Sequence, residues 1–191
     1  EGANSFITPA ARLELQNSGV VVMRDCSANK CGVISSSYEI IANLLLDDDQ
    51  FLTLKPRYVA DVLEILNRRS EDEARLIFRR HREPQQGGCY TEISDQISRE
   101  INQQYARLFE FFAATPQLCD EPLYRQTLLR HLPKCVVENA EIVQRVDKLP
   151  TKIKQAILAS EISSSLIYSG GQKNDYQNQI ECHLRRLNAA A

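Results

Sequence analysis

Apolar residues at helical spacing occupy most of this chain, and they restrict what it can fold into. Between Thr91 and Pro116 the apolar positions lie three or four residues apart: Ile93, Ile97, Ile101, Tyr105, Leu108 and Phe112. Side chains with this spacing share one face of an α-helix. The pattern predicts a long amphipathic helix that ends before Pro116, and we expect its apolar face, including Ile101, to be buried against other helices.

Proline and glycine mark further helices on both sides of this one. Pro56 is interpreted as the start of a long helix, because proline is well tolerated in the first helical turn. Shorter helices are predicted at residues 122–131, 136–146, from Pro150 onward and at 176–187. The pattern changes near residues 47–49, which predicts a domain boundary there and a helical domain at residues 48–191.

The first 47 residues have a different pattern. Thr8-Pro9 indicates the start of a helix that runs to about Asn17, and Gly19 suits its end. The β-branched run at residues 20–23 then predicts a buried strand. With a short strand before the helix, the series would be strand, helix and strand, which is typical of a parallel sheet. The predicted fold class is therefore mainly α, with a small α/β part at residues 1–47.

Two asparagines follow the predicted strands. Parallel strands joined through a helix end at the same edge of the sheet, where open α/β sheets bind ligands. We therefore expect Asn4 and Asn29 to lie at one edge. The segment from Ser27 to Ser37 is interpreted as a loop that leads into a helix at Tyr38. Its serines would lie at a positive helix end that suits a carboxylate or phosphate, or they would simply cap the helix.

These motifs resemble a known family. Glu-Gly-Ala-Asn at residues 1–4, Thr-Pro at 8–9, the run at 20–25 and Asn-Lys-Cys-Gly-Val-Ile-Ser-Ser at 29–36 resemble the closing part of the nucleotide-binding domain of glutamate dehydrogenases. Beyond residue 51 the chain resembles, more loosely, the helical tail of the large NAD-dependent members. The resemblance implies that residues 1–47 are the last strands of a Rossmann-like, NAD-binding domain and that residues 48–191 are a helical carboxy-terminal extension.

The resemblance also implies roles for four residues. Asn4 stands where the family places an asparagine beside the nicotinamide ribose and carboxamide of NAD. Asn29 stands where a second asparagine faces the nicotinamide and the substrate. Ser36 corresponds to a serine that hydrogen-bonds the distal carboxylate of glutamate, and Val33 to a valine that packs beside the methylene groups of the substrate.

The implied reaction is oxidative deamination of L-glutamate to 2-oxoglutarate and ammonia, with hydride transfer to NAD. The family's catalytic lysine and aspartate have no counterpart in this chain, so no catalytic residue is assigned. Because the chain begins at Glu1 without methionine, we expect a fragment that is inactive alone. The family implies a homo-oligomer. Two residues depart from its pattern, since Cys31 replaces a glycine and Ser5 an apolar residue.

Composition excludes several other classes of protein. The 23 Lys and Arg residues nearly balance the 25 Asp and Glu residues, and no basic run could neutralise a series of phosphates, so nucleic acid is not an expected partner. No stretch is apolar enough to predict a membrane span, and no signal peptide is predicted, so we expect a cytoplasmic protein. The six cysteines lack disulfide or metal spacing, which predicts reduced thiols and no metal site.

Simpler interpretations apply to several polar residues. Asn4 could be only a turn residue. Lys30 is interpreted as a solvated loop lysine, and His81, His131 and His183 as exposed side chains. At the level of function, the alternative is an all-helical regulatory or oligomerisation module without a catalytic role. Another alternative keeps the enzyme class but changes the substrate to leucine or phenylalanine; a polar residue at Ser36 favours glutamate.

Overall fold

The protein consists of helices joined by short connections. The structure, a computed structural model, describes residues 1–2, 4–83, 88–170 and 176–189, without the side chains of residues 176–179. The helices in these residues are α1 (Pro9–Asn17), α2 (Asp25–Ala28), α3 (Lys30–Leu45), α4 (Asp48–Arg82), α5 (Tyr90–Ala114), a 3-10 helix (Pro116–Asp120), α6 (Pro122–His131), α7 (Lys134–Val137), α8 (Ala140–Asp147), α9 (Thr151–Tyr168) and α10 (Tyr176–Ala189). The prediction of a mainly helical protein is confirmed.

The predicted Rossmann-like strands are not seen in the described residues. Residues 20–24 form neither helix nor strand, and Val21 is 72% exposed while Val22 is buried. A strand needs a neighbouring strand that takes up its backbone N–H and C=O groups. The described residues contain no such neighbour, so the prediction of a buried strand at 20–23 is wrong for this structure.

Two helices begin earlier than the sequence predicts. α3 begins at Lys30 and not at Tyr38, and α4 begins at Asp48 and not at Pro56. Asp47 caps α4, because its Oδ1 accepts the backbone N–H of Gln50 at 2.9 Å while the Gln50 side chain accepts the backbone N–H of Asp47 at 3.3 Å. This reciprocal cap starts the helix upstream, and Pro56 lies inside it.

The helices form two compact units. Unit 1 comprises Glu1–Ile41 and Val62–Arg99, and unit 2 comprises Ala42–Asp61 and Glu100–Ala191. Both units are discontinuous in sequence. The predicted boundary at residue 47 concerns the domains of a complete nucleotide-binding protein and stays a prediction.

In unit 1 the apolar faces of α3, α4 and α5 supply the core. Its buried side chains include Tyr38, Ile41, Leu66, Leu76, Ile77, Ile93 and Ile97. α1 is attached through a hydrogen bond of 2.9 Å from Gln16 Nε2 to Oγ1 of Thr91, whose side chain is buried. On α5 the buried Ile93 and Ile97 follow the predicted helical stripe.

Unit 2 has its core between α6, α9 and α10. α6 packs against α9, α10 and the 3-10 helix. Phe112 meets the ring of Tyr124 edge to face at 5.6 Å, and Gln155 Nε2 donates to the carbonyl oxygen of Phe112 at 2.9 Å. Ile101 is only partly buried, so its predicted burial is wrong; it lies where α5 enters unit 2.

Residues 42–61 belong to unit 2 through polar contacts with α7 and α8. Arg145 Nη1 donates to the carbonyl oxygen of Leu45 at 2.9 Å and to Gln50 Oε1 at 2.7 Å. The backbone N–H of Cys135 donates to Asp61 Oδ2 at 2.7 Å. Among the described helices, none combines the length and apolar character required to cross a bilayer.

Candidate cofactor and substrate edge

The two asparagines that the sequence predicts to share an edge lie side by side in unit 1. Asn29 Nδ2 donates to Asn4 Oδ1 at 3.1 Å, at an exposed position. The two residues are 25 positions apart in the chain. Each amide carries a donor and an acceptor, so together they can present paired hydrogen-bonding groups to a ligand.

The turn that presents Asn4 is held by Asp25. Ser5 has a positive φ of 52°, in the left-handed region. Its backbone N–H donates to Asp25 Oδ2 at 2.7 Å, and the backbone N–H of Cys26 donates to Oδ1 at 2.8 Å. The hydrogen bond from the Ser5 N–H is the main cause of the lowered pKa of the Asp25 carboxyl. The carboxylate therefore stays ionised and holds the turn in place.

Asn29 precedes the first turn of α3, and Gly32 leaves room for its side chain. A Cβ at Gly32 would lie 3.0 Å from Asn29 Oδ1, which is closer than ordinary contact. A side chain at position 32 would therefore require the amide to shift by a few tenths of an ångström. Cys31, which departs from the family pattern, lies in α3 without a positive φ, so its backbone does not require glycine.

Val33 and Ser36 lie on the face of α3 that continues from Asn29. Val33 is 71% exposed, and Ser36 is exposed one turn further along. Ser36 Oγ lies 3.5 Å from the carbonyl oxygen of Gly32, to which Ser35 Oγ donates at 2.9 Å. Because α3 begins at Lys30, the prediction that Ser36 occupies the first turn of a helix is wrong. Its hydroxyl points from a helix face and not from a positive helix end.

A buried carboxylate that the sequence interpretation missed lies beneath this edge. Glu73 of α4 is only 3% exposed. Its Oε1 accepts a hydrogen bond from Ser27 Oγ at 2.5 Å, and its Oε2 forms an ion pair with Lys30 Nζ. Lys30 is therefore not a solvated loop lysine, and that interpretation is wrong. No signal in the sequence marks Glu73, because residues 67–75 are all polar or charged apart from Ala74.

α5 supplies a second set of polar partners to the same segment. The Oγ of the buried Ser94 is within hydrogen-bond distance of Ser27 Oγ, and it lies 3.0 Å from Cys26 Sγ. Asp95 forms an ion pair with Arg24. Contacts of this kind join residues about 70 positions apart, so helical periodicity alone could not predict them.

The histidines depart from the sequence interpretation in unit 2. His131 is buried with its Nδ1 3.0 Å from Glu161 Oε2, so the expectation of an exposed side chain is wrong. His183 is partly buried, with its Nε2 2.8 Å from Ser165 Oγ. His81 is exposed. The described residues contain no group of three or more His, Cys, Asp or Glu side chains placed to hold a metal, and the six cysteines are free.

Comparison with known proteins relates the first part of the chain to a family. Residues 1–82 match the Glutamate/Leucine/Phenylalanine/Valine dehydrogenase family. The NAD-specific glutamate dehydrogenase of Neurospora crassa is 34% identical over 182 residues, which are 90% of this chain and 17% of that protein. The probable NAD-specific glutamate dehydrogenase of Schizosaccharomyces pombe is 31% identical over 180 residues, 88% of this chain and 16% of that protein.

A third relative has similar identity and coverage. The NAD-specific glutamate dehydrogenase of Saccharomyces cerevisiae is 31% identical over 186 residues, 90% of this chain and 16% of that protein. No solved structure matches the chain. The chain thus spans about a sixth of the length of the curated relatives it matches, and the similarity continues through the helices beyond residue 82. The chain is therefore homologous to a segment of the large NAD-specific glutamate dehydrogenases, and its residues 1–82 match the Glutamate/Leucine/Phenylalanine/Valine dehydrogenase family.

Proposed function

We propose that this chain is part of an NAD-dependent glutamate dehydrogenase and carries one edge of its cofactor and substrate site. The complete enzyme would oxidise L-glutamate to 2-oxoglutarate and ammonia, with hydride transfer to NAD. Residues 1–47 would close the nucleotide-binding domain, and residues 48–191 would form its helical extension. The names of the three relatives support this reaction and this cofactor.

The contact between Asn4 and Asn29 carries the proposal. A nicotinamide carboxamide has one acceptor and two donor hydrogens, so neighbouring asparagine amides complement it. We propose that Asn4 binds the ribose and carboxamide and that Asn29 faces the nicotinamide and the substrate. The carboxamide contacts would orient the ring for hydride transfer.

Val33 and Ser36 supply the substrate side of this proposal. The exposed Val33 side chain would pack against the methylene groups of glutamate, and the Ser36 hydroxyl would donate to the distal carboxylate. A hydroxyl at this place favours glutamate over leucine or phenylalanine, whose side chains cannot accept its hydrogen. The catalytic lysine and aspartate would come from another part of the enzyme, which we expect to be a homo-oligomer.

Steady-state kinetics of the complete enzyme tests these roles. Loss of a neutral donor to a charged acceptor costs ~1.5–3 kcal/mol, so Ser36→Ala should lower kcat/KM for glutamate by roughly ten- to hundredfold and leave KM for NAD nearly unchanged. Ser35→Ala, which removes the neighbouring hydroxyl, is the matched control. Asn29→Ala should instead raise the KM for NAD. The substrate role of Ser36 is wrong if Ser35→Ala and Ser36→Ala behave alike.

A further inference from the structure

We propose that Glu73 is a positioning residue that holds Asn29 in place for the cofactor, so that helix α4 sets the geometry of the nicotinamide site. This inference rests on the proposed function, because it requires that Asn29 contacts NAD. Glu73 itself is buried and touches neither cofactor nor substrate in this proposal. It acts through the two residues that flank Asn29 along the chain.

The carboxylate of Glu73 contacts the chain on both sides of Asn29. Glu73 binds Ser27 with one oxygen and Lys30 with the other. Asn29 lies between these two residues in the chain, and its backbone N–H donates to the carbonyl oxygen of Asp25 at 2.8 Å. The segment that carries the amide is therefore held on both sides by a single side chain from α4.

Because Glu73 is buried, its carboxylate depends on these contacts. A buried carboxylate is stable only when it is paired and hydrogen-bonded. A shift of residues 27–30 away from α4 would separate Glu73 from both Ser27 and Lys30 and remove two of the contacts that compensate its charge. Glu73 therefore restricts the positions that the segment can occupy, and it restricts Asn29 along with it.

Helix α5 makes further contacts with the same segment. Ser94 contacts both Ser27 and Cys26, and Asp95 pairs with Arg24. Side chains at positions 24, 26, 27 and 30 are thus tied to helices that lie beyond the predicted nucleotide-binding part. Asn29 itself donates to Asn4. A support of this kind matters to a cofactor site, because a displacement of ~1 Å in a reacting group can cost about a hundredfold in rate.

The test is a double-mutant cycle between Glu73 and Asn29 in the complete enzyme. We expect Glu73→Ala alone to lower kcat/KM for NAD by about ten- to hundredfold and to weaken NADH binding, measured by fluorescence titration. In an Asn29→Ala enzyme, the same Glu73→Ala change should add less than about twofold, because the amide that it positions is gone. Glu73→Gln, which can keep the contact with Ser27, should recover part of the activity.

Two further variants separate positioning from stability. Glu161→Gln alters another buried carboxylate, the partner of His131 in unit 2, and should lower Tm without changing the kinetics for NAD. Ser27→Ala removes the contacts of Ser27 with Glu73 and Ser94 but leaves the pair between Glu73 and Lys30, so it provides the second measurement if Glu73→Ala fails to fold. We expect Ser27→Ala to raise the KM for NAD more than it changes kcat.

Each outcome decides between the two proposals. If Asn29→Ala leaves NAD kinetics unchanged, the proposed cofactor role is wrong and Glu73 has nothing to position. If Asn29→Ala impairs NAD binding but the Glu73 and Asn29 effects multiply, the cofactor role stands and the positioning role is overturned. The positioning role is also overturned if Glu73→Ala, or Ser27→Ala in its place, lowers only Tm, as Glu161→Gln is expected to do.

Discussion

The carboxylate of Glu161 on α9 lies 3.0 Å from Nδ1 of His131, the last residue of α6, and both side chains are buried in unit 2. The contact joins two helices of the core by a polar interaction. A buried polar pair of this kind favours one relative placement of its helices, because displaced placements would separate the two groups.

We expect Glu161→Ala to destabilise the protein by ~1–3 kcal/mol, because the buried His131 ring would lose this hydrogen-bond partner. Thermal unfolding followed by circular dichroism measures the effect. Glu110→Ala removes an exposed glutamate of unit 2 and should change stability by no more than about 0.5 kcal/mol. Equal Tm shifts for the two variants would contradict the buried pair.

His183 should make stability depend on pH. Burial lowers its pKa below the ordinary value of 6.5, and Arg186 and Arg130 act in the same direction. The folded protein therefore binds fewer protons here than the unfolded chain does between these two pKa values, so stability falls as the pH decreases through about 6.5. Urea midpoints near pH 8 and pH 5.5 should differ less in His183→Gln than in the unmodified protein; an unchanged difference would exclude His183 as the cause.

Leu158 tests the apolar core of unit 2. Its side chain is 0% exposed, so Leu158→Ala should leave a cavity and cost ~2–5 kcal/mol. Leu52→Ala is a suitable control, because Leu52 is 67% exposed and its truncation should cost no more than about 0.5 kcal/mol. Chemical denaturation of both variants gives the two free energies, and the packing of α9 is wrongly described if they are equal.

The isolated chain should not bind NAD with useful affinity. Its sequence lacks the glycine-rich turn that holds the pyrophosphate, and its described residues form no parallel sheet. The edge at Asn4 and Asn29 would supply only the nicotinamide contacts. Calorimetric titration with NAD should therefore show no saturable heat, and binding in the micromolar range would contradict the proposed division of the site.

Local patterns predicted several helices well. The helix at 10–17 is observed as Pro9–Asn17 and the helix at 122–131 as Pro122–His131, because proline marks both starts. Residues 20–23 do not form the predicted strand, since a β-branched run becomes a strand only when a partner strand is present. Pro56 does not start a helix, because the cap formed by Asp47 and Gln50 starts α4 before the proline.

The site was predicted in part. The side chains of Asn4 and Asn29 meet, as predicted, but the parallel strands on which that prediction rested are not seen in the described residues. Glu73 could not be assigned, because its contacts with Ser27 and Lys30 join residues more than 40 positions apart. The residues around Glu73 are also charged, so only the fold distinguishes this buried carboxylate from its solvated neighbours.

The discontinuity of unit 1 has a consequence for the timing of synthesis. Asn29 leaves the ribosome before Glu73 and Ser94, and all three belong to one unit. At ~5–20 residues per second, several seconds pass between the emergence of Asn29 and that of Ser94. During this interval the nascent segment at residues 24–30 lacks the helices that hold it, so the cofactor edge can reach its final geometry only after α5 has been translated.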